Sequence, residues 1–242
     1  MCELCTIARQ PRIARRNFLR LAGVAAGLAI TPRAFAKETK APPKPENVLS
    51  PDAALDRLMK GNTRYIEGLT ARHDFKRERE ALSKGQNPFA AVLSCADSRI
   101  APELCFDTAR GDVFVCRVAG NFANDDIVAS LEYAVAVLNT PLIVVLGHGA
   151  CGAVDATIKS IKDGTTLPGH LPSLVSALRP AVEAVKDKPG DLLANAIRSN
   201  VMLTIDKLKS AAPILKAAVD DKKIRVVGGV YELKTGRVEL LS

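Results

Sequence analysis

The sequence predicts an α/β fold: a mostly parallel β-sheet flanked by α-helices, preceded by an N-terminal helical arm. Short apolar runs of strand length alternate with longer segments of helical period, the pattern of strands joined by crossover helices. One run, Leu142 to Gly147, is apolar throughout rather than alternating, as expected of a parallel strand covered on both faces. A chain of 242 residues, 48% of them apolar, suffices for one large domain with its own core.

Residues 1–36 read as an export signal rather than as part of that fold. Arg15-Arg16-Asn17-Phe18-Leu19-Arg20 resembles the twin-arginine motif, and an apolar stretch, Leu21 to Ile30, follows it. Ala34-Phe35-Ala36 puts small residues where a signal peptidase reads, so cleavage is expected after Ala36. The apolar stretch falls short of the roughly 20 residues needed to span a bilayer. No Cys follows it to carry a lipid, so no membrane anchor is expected once the signal is removed. The mature protein is therefore expected in the periplasm or otherwise outside the cytoplasm, delivered by the twin-arginine machinery.

Residues 37–70 form a linker and helical arm. Lys37 to Ser50 is rich in Pro and Lys. Ser50-Pro51-Asp52 is a helix start with Pro in the first turn, and Leu55, Leu58 and Met59 mark one face of a helix running to Leu69. Residues 71–242 form the α/β domain. Arg72 to Lys84 is charged and periodic, an exposed helix. Strands are predicted at Phe89 to Ser94, Val113 to Val118, Leu142 to Gly147 and Ile224 to Val230, with an edge strand at Gly236 to Leu241. Helices are predicted at Ile127 to Leu138, Cys151 to Lys162, Leu174 to Val185, Ala194 to Leu208 and Pro213 to Ala218. No repeat recurs at a solenoid period.

The net charge is +8, but residues 1–36 hold six Arg and a single acid. The remaining chain carries 28 basic and 25 acidic residues, a balance of only +3. With no basic stripe and no interleaved aromatics, nucleic acid is excluded as a partner. Of six Cys, Cys2 and Cys5 fall in the segment expected to be removed. Cys105 and Cys116 read as small core residues, with a disulfide between them as the alternative.

Cys95 and Cys151 belong to a different pattern. Ligands of an open α/β sheet collect at the carboxyl ends of its strands. The first strand runs into Cys95-Ala96-Asp97-Ser98-Arg99, and the third into Gly147-His148-Gly149-Ala150-Cys151-Gly152. Two thiols and an imidazole thus emerge where parallel neighbours bring them together. Two Cys and one His are a ligand set for catalytic zinc with one position left open. His73, in a charged stretch, and His170, in a Gly-Pro loop, read as solvated. Asp97, two residues past Cys95, is placed either to close the metal's coordination or to act beside it. Gly147, Gly149 and Gly152 are read as the residues that let the chain turn from strand to helix. Cys151 then stands near a helix N-terminus, which favours its thiolate.

These residues resemble the β-class carbonic anhydrases. Cys95-x-Asp97-x-Arg99 and His148-x-x-Cys151 match the two signature segments of that family, and the similarity covers roughly Gln86 to Val154, weakening towards the end. Gly85-Gln86-Asn87-Pro88 precedes the first strand as in the family. Arg117-Val118-Ala119-Gly120-Asn121 is similar to its R-N-A-G-N segment, with Val118 in place of the usual Asn. Leu131-Glu132-Tyr133-Ala134 matches a helix that contributes to the pocket. The resemblance implies one Zn²⁺ per chain on Cys95, His148 and Cys151, an Asp97–Arg99 dyad, and a substrate pocket formed with Gln86, Phe114, Ala119 and Tyr133. Phe114 and Tyr133 are expected from a neighbouring subunit, so a homodimer or tetramer follows. The implied reaction is reversible hydration of CO₂ to bicarbonate and a proton, with zinc-bound hydroxide as nucleophile, Asp97 orienting it and Arg99 holding Asp97 off the metal. Family regulation by bicarbonate in a pocket lined by Trp is not expected, since the chain has no Trp. Two other readings share the ligands. Carbon disulfide or carbonyl sulfide hydrolases differ by a narrow apolar entrance, and a non-catalytic zinc-binding protein has no use for Asp97, Arg99 or Gln86.

The export reading has a direct test. Replacing both Arg15 and Arg16 by Lys is expected to leave full-length protein in the cytoplasm. Fractionation that finds the double variant exported normally would defeat the assignment.

Overall fold

The structure, a computed structural model, describes residues 49–241. The predicted signal, 1–36, and the linker up to residue 48 lie outside them. No described helix is long and apolar enough to cross a membrane.

The elements follow the predicted order. Helix α1 (Pro51–Ile66) opens with Ser50 as its cap, whose hydroxyl accepts from the Ala53 amide at 3.2 Å, and with Pro51 in the first turn. It stops three residues before the predicted end. α2 (Phe75–Leu82) is shorter than expected at both ends. Then come β1 (Ala90–Ser94), α3 (Pro102–Cys105), β2 (Val113–Arg117), α4 (Asp125–Ala136), β3 (Leu142–His148), α5 (Gly152–Asp163), α6 (Leu171–Glu183), α7 (Leu192–Ser210), α8 (Ile214–Asp220), β4 (Arg225–Tyr231) and β5 (Val238–Leu241). The four-residue α3 is the one element with no counterpart in the sequence reading. It is too short to show a period, and only Pro102 marks its start.

The strands form one five-stranded sheet in the order β2-β1-β3-β4-β5, parallel except for β5. Every residue of β1 and β3 is buried, which is why both read as continuous apolar runs. Alternation along these strands builds two cores. Ala91, Leu93, Ile143 and Val145 face α4, α7 and α8, while Ala90, Val92, Val144 and Leu146 face α1 and α3. Cys116 belongs to the first core and Cys105 to the second. Both thiols are free, which removes the disulfide alternative. Burial raises both above the ordinary thiol value and keeps them inert.

A third apolar cluster lies beyond the carboxyl ends of β1 and β3. There Cys95 and Cys151 pack with Val154 of α5, Leu178 and Val182 of α6, and Ile197 of α7. The chain leaves β1 towards β2 and leaves β3 towards β4, on the opposite side. The strand order therefore reverses between β1 and β3, and that reversal opens a crevice at their carboxyl ends.

Buried polar groups tie α1 to this frame. Asn62 donates to the carbonyls of Cys105 (2.9 Å) and Gly236 (2.8 Å) and accepts from the Val238 amide (2.9 Å), joining α1, α3 and the β4–β5 hairpin. Asp107 accepts from Arg64 Nε at 2.6 Å and from the Ala71 amide at 3.0 Å. Burial alone would raise its carboxyl, but Arg64 and the amide outweigh burial and hold it below the ordinary carboxylate range.

Arg64→Met is expected to cost about 1–3 kcal/mol at pH 7 by stripping a buried carboxylate of its cation. The low end is favoured because Arg64 is half exposed and screened by solvent. A depressed carboxyl contributes its stability above its unfolded value, about 3.9, and loses it as pH falls through the folded value. The gap between variant and parent in urea midpoints should therefore close below about pH 4. A gap as large at pH 3 as at pH 7 would assign Arg64 a role other than pairing Asp107.

Candidate metal centre and active site

Cys95 is the first residue past β1, and His148 is the last residue of β3. The parallel register pairs Ser94 with Leu146, so the two chain ends leave the sheet side by side. Cys151 is the cap residue of α5, with the first helical amides behind it. The Cys95 and Cys151 sulfurs and a His148 ring nitrogen all lie within 4.8 Å of one another, and all three residues are buried.

The imidazole is oriented for coordination. Its Nδ1 hydrogen-bonds the Gly149 carbonyl at 2.9 Å, which assigns the proton to Nδ1. Nε2 is buried with no hydrogen-bond partner, so its lone pair faces the two thiols. Such an orphan is costly unless something accepts that lone pair. The thiols strain against each other as well. The Cys151 thiol donates to Cys95 and, with the Gly120 amide, outweighs burial and holds Cys95 below the ordinary thiol value. Cys151, facing the thiolate this creates, is pushed up. Two buried thiols can both ionise only beside a cation, and two soft sulfurs with one imidazole are the donors a zinc-like ion takes. The residues fit a metal.

Asp97 stands beside them, with Oδ2 at 3.8 Å from His148 Nε2. Arg99 grips it twice, Nε to Oδ1 at 2.9 Å and Nη2 to Oδ2 at 2.7 Å, and the Arg99 amide adds a third bond to Oδ1 at 2.9 Å. The guanidinium holds the carboxyl well below the usual carboxylate range. Arg99 Nη2 also donates to the Ala150 carbonyl at 3.1 Å, joining the loop after β1 to the loop after β3.

A model of the carbonic anhydrase family matches residues 90–238. Carbonic anhydrase 2 of Mycobacterium tuberculosis is 36% identical over 193 residues, covering 79% of this chain and 93% of the relative. The chain belongs to the β-class carbonic anhydrase family. The carbonic anhydrase of Mycolicibacterium smegmatis is 36% identical over 194 residues, covering 80% of this chain and 94% of its own. Among solved structures, a tetrameric β-carbonic anhydrase of the ascomycete Sordaria macrospora shares the fold with a TM-score of 0.62 and 26% identity, over 70% of this chain and 88% of that one.

In this carbonic anhydrase one group of sequence-predicted residues is brought together and another is not. Cys95, Asp97, Arg99, His148 and Cys151 share the crevice, and Ala119 lies in the turn whose next residue, Gly120, donates its amide to Cys95 Sγ at 3.2 Å. Gln86, Phe114 and Tyr133 stand elsewhere. Phe114 pairs with Ala91, four residues back from Cys95, or about 13 Å along the strand. Tyr133 packs on Phe114, ring centres 6.2 Å apart, and exposed Gln86 precedes β1 at the same end of the sheet. Gln86 therefore groups with Phe114 and Tyr133, and none of the three adjoins the donors of its own chain.

The glycine reading needs correction too. The left-handed residue in the loop after β3 is Ala150, at φ 51°, and no glycine of that loop has positive φ. Gly147 is required by packing instead: a Cβ there would meet Val201 of α7 at 2.8 Å. Arg117, at the end of β2, has a role that the sequence pattern alone does not assign. Its guanidinium donates to three carbonyls of the loop after β1: Cys95 (2.9 Å), Asp97 (2.7 Å) and Ile100 (2.9 Å). A charged residue ending a strand beside the site was the available signal.

Arg99→Ala and Asp97→Ala should each keep the metal content of the parent, since all three donors remain. Each should lower CO₂ hydration by roughly 100-fold, the scale of a lost positioned proton acceptor. Without Arg99 the carboxyl of Asp97 rises, but only towards its ordinary value near about 4, so it stays ionised at pH 7. The loss then reports a carboxylate freed to reach the metal in Arg99→Ala and lost orientation in Asp97→Ala, rather than protonation. Metal analysis paired with stopped-flow hydration checks both variants, and parental rates would reduce the dyad to a loop ion pair.

Proposed function

We propose that this carbonic anhydrase holds one Zn²⁺ on Cys95, His148 and Cys151 and catalyses the reversible hydration of CO₂ to bicarbonate and a proton. The observation that carries this reading is the convergence of two buried thiols and a lone-pair-bearing imidazole beside a carboxylate fixed by Arg99. When bound, Zn²⁺ supplies the Lewis acidity that makes water a nucleophile at neutral pH.

The chain's own residues do the rest. Two thiolates and a neutral imidazole balance the dication, so the centre is formally neutral. Asp97, ionised throughout the physiological range, accepts a hydrogen bond from the reacting water and aims its oxygen at CO₂. Arg99 occupies both carboxylate oxygens and so keeps Asp97 from becoming a fourth metal ligand. Val154, Leu178 and Ile197 back the donors with apolar surface, the environment in which an uncharged substrate competes with water.

The pocket is completed in this reading by a second copy of the chain, which brings its Gln86, Phe114 and Tyr133 to the crevice. Support comes from their separation from the donors of their own chain and from β2, beside them, being an edge strand. The tetrameric Sordaria relatives favour a homodimer or tetramer. Export by the twin-arginine route belongs to the same proposal, supported by Arg15-Arg16 and Ala34-Phe35-Ala36.

Purified mature protein is expected to carry about one zinc per chain, as a mononuclear site requires, and to hydrate CO₂ in stopped flow. Cys151→Ser should lose most of the metal and the activity together. Metal-loaded protein that turns over carbon disulfide or carbonyl sulfide but not CO₂ would replace the substrate assignment, and an active, metal-free protein would overturn the centre.

A further inference from the structure

The crevice is braced from α7 by a residue that touches no donor. Residues 118–121 make a tight turn closed by the Asn121 amide on the Val118 carbonyl at 2.9 Å. Gly120 is its third residue, at φ 83°, where this type of turn needs glycine. A side chain there would also strike Leu178, 2.8 Å from the position of a Cβ. The amide of the third residue is not used inside such a turn. Here it donates to Cys95 Sγ at 3.2 Å.

The other side of Gly120 is held by Asn200. Its Nδ2 donates to the Gly120 carbonyl at 2.7 Å, a buried bond across 80 residues of sequence. Asn200 is 4% exposed on the face of α7 that also buries Ala196, Ile197, Val201, Thr204, Ile205 and Leu208. A buried amide is costly unless it is paired, and Asn200 Nδ2 is paired with the turn.

We infer that Asn200 is a positioning residue for the Cys95 sulfur: through Gly120 it aims a backbone N–H at Sγ and so sets the donor strength of that ligand. The inference rests on the reading of Cys95 as a metal ligand. An N–H bond to a coordinating thiolate withdraws electron density from sulfur, and partners of ligands fix both geometry and affinity.

Cobalt-loaded protein provides the test, read by the near-ultraviolet thiolate-to-metal absorption. Asn200→Leu keeps the volume and removes the donor. Its band is expected at lower energy, because a thiolate without its N–H partner holds its electrons less tightly. Its Zn²⁺ dissociation constant, measured by chelator competition, should rise about tenfold or more, because the turn no longer holds the sulfur in place and the lost geometry outweighs the gain in donor strength. Leu208→Ala, two turns along α7, should lower stability while leaving both readings alone. A second measurement uses the unaltered protein and needs no variant to fold. With an NMR-active isotope of cadmium bound, the Gly120 amide proton should show scalar coupling to the metal through sulfur. An unmoved band with an affinity within about twofold of the parent, the same response in Leu208→Ala, or no coupling at Gly120 overturns the inference. Failure of the unaltered protein to take up any of these metals overturns the metal reading itself, and this inference with it.

Discussion

Strand β1 lies parallel to β3 with Ser94 opposite Leu146, and the donor set exists only in that register. Cys95 is one residue past β1 and His148 ends β3, so a slip of two residues would separate them by about 7 Å. A slip of one would turn the fully buried strands inside out and exchange the two cores. The register is held by those cores: Ala91, Leu93, Ile143 and Val145 on one face, Val92, Val144 and Leu146 on the other. Packing energy far from the crevice thus fixes sulfur and nitrogen positions within it.

Within that frame the site is a problem of buried charge. Two buried thiols and a buried imidazole meet beside a part-buried carboxylate, and an unpaired charge on the buried groups is costly. The protein supplies two arginines to one short loop. Arg99 takes the carboxylate of Asp97, and Arg117 takes three carbonyls between Cys95 and Ile100. Neither cation is spent on the sulfurs. The remaining negative charge lies where the three soft donors converge, and a dication placed there balances it.

Much of this was legible in the chain. Continuous apolar runs gave β1 and β3, because strands buried on both faces have no polar side. Cys95, His148 and Cys151 stood out because chemistry-bearing residues followed directly on strand ends, and Asp97 and Arg99 stood out by their spacing from Cys95. Helix ends were less legible. The first helix stops at Ile66 although the pattern ran to Leu69, and α3 is a single turn with no period to read.

The sequence by itself determined the order of strands along the chain, every helix but the single turn α3, the candidate donors and the family, because all of these are local patterns or spacings. The tertiary structure decided which residues act together. Gln86 lies nine residues before Cys95, yet it is separated from it by the whole of β1, since an extended strand carries its two ends apart. Asn200 is 80 residues from Gly120 and touches it, since α7 packs back across the sheet. Ala150, not a glycine, takes the left-handed turn, and Gly147 is required instead by the closeness of Val201 on α7. Contacts of that kind depend on strand order and helix placement, which follow from the packing of the whole chain.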